Sequence, residues 1–91
     1  MDNVLLEEHV SICRWMSGIK RQKISYLQRN VPPKPPDEML ILLLKGSADQ
    51  YDSAAKLYQS GDFVKADRTL RLANNFGDRA ADLENVWMRG V

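Results

Sequence analysis

The sequence predicts an all-α protein, a small helical bundle built around one tight helical hairpin. Apolar residues recur at helical spacing through residues 3–29. Small and large apolar residues (Ala54, Leu57, Tyr58, then Phe63, Ala66, Leu70, Ala73) flank Gly61-Asp62 as two helices folded back on each other require. The only short apolar run that could serve as a strand, residues 39–44, has no second strand to pair with.

The first helix is expected over residues 3–29. Leu5, Ile12, Met16 and Ile19 are spaced by seven, four and three and so share one face, and Ile24 and Leu27 carry apolar character toward Arg29. Asp2 or Asn3 can cap its start, and Glu7 and Glu8 lie where the positive end of the helix dipole favours acids. Gly18 lies inside the pattern and weakens it.

All 4 prolines fall within residues 32–36. Consecutive prolines fix φ and remove backbone donors, so residues 31–36 are expected to be an extended, stiff spacer. Asp37 then caps a helix starting at Glu38. Residues 39–44 are apolar around the whole circumference of that helix, so they form either its central core or a partner-binding surface. Lys45-Gly46 can end this helix. It can equally run on, because Leu40, Leu44, Tyr51, Ala54 and Tyr58 share a face.

The hairpin follows, with helices expected at about 47–59 and 62–75. Gly61 supplies the left-handed conformation that ends the first, and Asp62 caps the second. Phe76-Gly77 is expected to close it and Asp78 to cap a last helix bearing Ala81, Leu83, Trp87 and Met88.

With 91 residues the chain is one domain, residues 1–91. Its 13 basic and 12 acidic side chains leave a charge of +1, which gives no global attraction to nucleic acid or an anionic surface. Cys13 is the single cysteine, so no internal disulfide forms, which fits a reducing, cytoplasmic setting. The N-terminus lacks the basic-then-apolar pattern of a signal peptide, and residues 39–44 are too few to cross a bilayer, so no membrane insertion is expected.

Over residues 47–80 the chain resembles tetratricopeptide-repeat proteins through Ala54, Leu57-Tyr58, Gly61-Asp62-Phe63, Lys65-Ala66, Leu70 and Ala73. It departs from the repeat at Gln50, where a large residue is usual, and at Asp78, where proline is usual. The resemblance implies a scaffold that holds other polypeptides. Three stretches also resemble the small tetratricopeptide co-chaperones of bacterial type III secretion needle subunits: residues 7–16, with paired Glu7-Glu8 and Trp15, residues 57–66, and residues 82–89. That resemblance implies a hetero-oligomer with small helical protein partners, in which a groove cradles an amphipathic helix. A second resemblance is to small regulators of the PerC and AraC-negative-regulator type, carried by residues 54–73 followed by Asn85, Trp87 and Arg89. It implies regulation through protein–protein contacts.

Other classes are disfavoured. Residues 10–18 with Arg21 and Tyr26 echo the end of a repressor helix-turn-helix, but only nine residues precede Val10 and the positioning helices are missing. Lys20, Arg21, Lys23 and Arg29 also simply complement a helix C-terminus, so direct nucleic-acid binding is not expected. His9 and Cys13 lie one helical turn apart, yet one His and one Cys make too few ligands for a closed zinc site. No phosphate-cradling loop or nucleophile motif is present, and neither a catalytic residue nor a cofactor is expected. The sequence therefore reads as a non-catalytic polypeptide-binding module. Its candidate partner-binding residues are Leu40, Ile41, Leu43, Leu44, Tyr51 and Trp87.

Overall fold

The computed structural model describes residues 3–29 and 35–89, with side chains over 3–29 and 37–86. These residues form an all-α bundle of three helices: α1 (Asn3–Gln28), α2 (Pro35–Ser60) and α3 (Phe63–Arg89). Consecutive helices run antiparallel. Leu27 near the end of α1 packs with Leu40 near the start of α2, while Val10 and Cys13 pack with Tyr58 near its end. Helix α2 is the middle element, packed along both α1 and α3 in a body of 47 × 21 × 16 Å.

Two expectations about element boundaries are corrected, and one left open is decided. Pro35 and Pro36 belong to α2 instead of a spacer, and Asp37 lies in its first turn and not at a cap. Proline is tolerated there because the first helical N–H groups have no intrahelical partner to lose. The remaining spacer positions, residues 31–34, lie outside the described residues. Lys45-Gly46 does not end α2, because the face shared by Leu40, Leu44, Tyr51, Ala54 and Tyr58 stays buried along the helix. Phe76-Gly77 does not close α3, nor does Asp78 start a new helix. A Cβ at Gly46 would lie 3.5 Å from the Phe76 ring, and one at Gly77 only 3.3 Å from Lys20 Nζ and 3.4 Å from Ser47 Oγ. These glycines serve close packing inside continuous helices, where tertiary contact overrides their poor helix propensity.

The turn of the hairpin is as expected, although both of its helices are longer. Gly61 has φ +87°, and its N–H bonds to Tyr58 O. The Asp62 side chain accepts from the Lys65 N–H at 3.3 Å, capping α3. Ala54, Ala66 and Ala73 are fully buried, so α2 and α3 approach closely there, with Tyr58 filling the space beside them. Leu57, Phe63 and Leu70 pack half-buried around this cluster. A second cluster of Leu27, Leu40, Leu44 and Ala80 closes the other end. Between them, the buried Ser47 hydroxyl donates to Ala73 O at 2.8 Å. Among the described residues no buried side-chain N or O lacks a partner, so both ends of the core are internally satisfied.

Candidate functional site

Helix α1 carries two apolar faces, one buried against α2 and one exposed among the described residues. Val10, Cys13, Ser17 and Leu27 turn inward onto α2. On the opposite side Val4, Leu5, Ile12, Trp15, Ile19 and Tyr26 stand exposed, Trp15 at 66% and Tyr26 at 65%. At 100° per residue these six fall within an arc of about 100°, the width of a packing face. Leu5, Ile12, Ile19 and Tyr26 repeat every seventh residue, and Trp15 follows Ile12 by three, so they form one straight seam. From Val4 to Tyr26 that seam is roughly 33 Å long.

The seam is presented on a fixed platform. Arg21 Nη2 reaches Asp49 Oδ1 at 3.0 Å and Asp52 Oδ2 at 2.6 Å, and Arg14 donates to Gln59 Oε1 at 3.1 Å, which ties α1 to α2. Lys23 pairs with Glu84 of α3. Partial burial works to raise the Asp52 pKa, but hydrogen bonds from Ser17 and Arg21, with the nearby charges of Arg21 and Lys56, outweigh it and hold the value below the ordinary carboxylate range. Arg21 is raised in turn by its hydrogen bonds to Asp52 and Asp49. At the N-terminal end of the seam, two shallow open depressions flank the helix, one lined by Leu6, Val10 and Gln59, the other by Val4, Glu8 and Ile12.

The sequence-derived binding residues lie elsewhere. Leu40, Leu44 and Tyr51 are 3%, 1% and 3% exposed, and Ile41 and Leu43 pack half-buried against the second cluster. Closed in by α1 and α3, they are core and offer no groove; only Met39 and Leu42 of that run face outward. Tyr51 also donates its hydroxyl to Asn74 Oδ1. The Trp87 side chain lies outside the described residues. The face of Leu5, Ile12 and Ile19 was legible from spacing, but it points to solvent. Met16, at its edge, is half-buried. The inward face was obscured because it includes Ser17, a polar residue that the hydrogen bond to Asp52 makes compatible with burial. The seven-residue repeat of Leu5, Ile12, Ile19 and Tyr26 marks this face in the sequence without saying which way it turns.

His9 and Cys13 both have structural roles. His9 Nδ1 donates to Leu5 O at 2.7 Å, and its ring lies 5.2 Å from that of Tyr58. Burial raises the Cys13 pKa, which favours an inert thiol. Among the described residues no cluster of three or more His, Cys, Asp or Glu has metal-binding geometry, and no helix is long and apolar enough to cross a membrane. No protein-family model, curated protein or solved structure matches this chain. The fold and the exposed seam therefore define the chain as a three-helix bundle whose first helix bears an exposed apolar seam.

Proposed function

We propose that this chain is a non-catalytic polypeptide-binding module that packs a helix of another small protein along the outer face of α1. One observation carries the reading: six large apolar side chains lie in a single seam on a helix whose other face already fills the core. Contiguous exposed apolar surface on a small domain marks an interaction site, and a straight seam of this length suits helix-on-helix packing. The Arg21 clamp keeps the seam pre-organised, which lowers the entropy cost of binding.

At a finer level, the reading that best accommodates this module is a small cytoplasmic chaperone of a type III secretion needle subunit. The partner would be an amphipathic helix that polymerises if left unescorted. The alternative is a small PerC-like or AraC-negative-regulator-like protein that acts on another regulator.

The test is native mass measurement of the tagged chain isolated from its own host, run beside Trp15→Glu. A stoichiometric small helical companion that is lost from Trp15→Glu supports the module, and its identity decides between chaperone and regulator. A companion retained undiminished by Trp15→Glu removes α1 as the docking face.

A further inference from the structure

The apolar seam of α1 has one unpaired charge inside it. At 100° per residue Glu8 falls in line with Tyr26 and between Trp15 and Ile19, near the middle of the exposed arc. Lys23, at the edge of that arc, is already paired with Glu84 of α3. Glu8 is exposed, and the ion pairs among the described residues, Arg21 with Asp49 and Asp52 and Lys23 with Glu84, leave it no counter-charge. The helix dipole does not account for it either. Its attraction falls off within the first turn, and the first turn of α1 holds no acid.

The surroundings of Glu8 say what would suit it. Together with Val4, Glu7, Ser11 and Ile12 it lines an open depression of about 350 Å³. Val4 and Ile12 are both exposed, so apolar surface lies beside the carboxylate. That combination fits a side chain with a long aliphatic stem and a cationic head, which is lysine or arginine. A neutral or acidic stretch laid over the seam would take the Glu8 carboxylate out of water with no partner, at a cost in binding free energy.

We propose that the helix which docks on α1 carries a lysine or arginine seated on Glu8, and that Glu8 selects basic amphipathic helices over acidic ones. Trp15 lies seven residues from Glu8, about 10 Å along the axis and on nearly the same line. The docked helix therefore carries its cation about two turns from the apolar side chain that packs on Trp15. An acid at that place would meet Glu8 with like charge, so one carboxylate both recruits and rejects. The assignment rests on the reading of α1's outer face as a docking surface, and it adds the charge pattern of the partner.

The probe is a phage-displayed library of amphipathic helices of about 20 residues, which span about 30 Å of the seam. Their leucine stripe is fixed, and the positions at its ends are drawn from Lys, Gln and Glu. Selection on the full chain should yield binders with lysine at one end of the stripe, and selection on Glu8→Lys should yield binders with glutamate there. A binder selected on wild type should lose about tenfold in affinity on Glu8→Lys and regain it when its lysine is changed to glutamate. Both differences should shrink at high salt. Trp15→Glu should abolish binding throughout. Glu8 is exposed, so circular dichroism should show Glu8→Lys melting as wild type does.

Binders that need Trp15 yet hold lysine, glutamine and glutamate indifferently, or that bind Glu8→Lys undiminished, overturn the cation assignment and leave helix docking on α1 intact. Binders indifferent to Trp15→Glu, or none at all, remove the docking face and the assignment with it. Sedimentation of the chain alone completes the test: a dimer lost in Trp15→Glu would make a second copy the occupant and overturn the basic partner.

Discussion

The Tyr58 hydroxyl donates to Asp67 Oδ1 at 2.5 Å, bridging α2 and α3 across the Gly61 turn. The ring beneath that hydroxyl is fully buried among Ala54, Ala66 and Val10. Burial and the Asp67 carboxylate both disfavour a phenolate, so the Tyr58 pKa is pushed far above its ordinary value. The neutral phenol is thereby favoured in the folded state. Its contribution to stability is complete below pH about 10, the ordinary tyrosine value, and is lost as pH rises from there through the raised folded value. Melting temperature should fall above pH about 10, and Tyr58→Phe should shrink that fall while costing about 1–2 kcal/mol at neutral pH. An alkaline profile identical in Tyr58→Phe would assign the effect to Tyr51, whose pKa burial also raises.

Gly61→Val forces a branched side chain into a left-handed backbone at φ +87°. No neighbour lies within 4 Å of the added Cβ, so the penalty is backbone strain alone, about 1–2 kcal/mol. Thermal denaturation should show a lower midpoint with unchanged helical content. An unshifted midpoint would contradict the observed turn.

Leu44→Ala and Leu42→Ala distinguish core from surface two residues apart. Leu44 is 1% exposed and should cost about 2–5 kcal/mol; Leu42 is 69% exposed and should cost less than about 0.5 kcal/mol. Urea titration of both variants checks this, and equal losses would mean that residues 39–44 are arranged differently.

The Arg21–Asp52 tie should weaken in acid. Asp52 has a depressed pKa in the fold, so its contribution is present above the ordinary value near pH 4 and is lost as pH falls through the folded value. Both partners are more than a third exposed, so solvent screening keeps the effect small. Asp52→Asn should flatten the melting profile as pH falls below about 4. A profile unchanged by Asp52→Asn would show that other carboxylates govern acid unfolding.

The hairpin was legible because its cues are local: Gly61, Asp62 and the small residues at 54, 66 and 73 each act within a turn or two of their neighbours. Helix ends were not, because Gly46 and Gly77 look like stops and are contact points whose partners, Phe76 and Lys20 with Ser47, lie far away in sequence. The same distance effect made core residues look like a docking surface. Leu40 and Leu44 look like spare apolar surface until Leu27 and Ala80 are brought against them. Periodicity found Leu5, Ile12 and Ile19 on one face but carries no information about which of two apolar faces turns inward. That choice depends on Ser17, Asp52 and Arg21 acting together.

Because α2 is walled by α1 on one side and α3 on the other, its residues answer to two neighbours at once. A change at Tyr51, Ala54 or Tyr58 must suit both, and few substitutions can. Sequence drift in relatives of this chain should therefore be slowest along α2. The outer side of α3, where Val64, Leu72 and Val86 are exposed, should be the freest to vary.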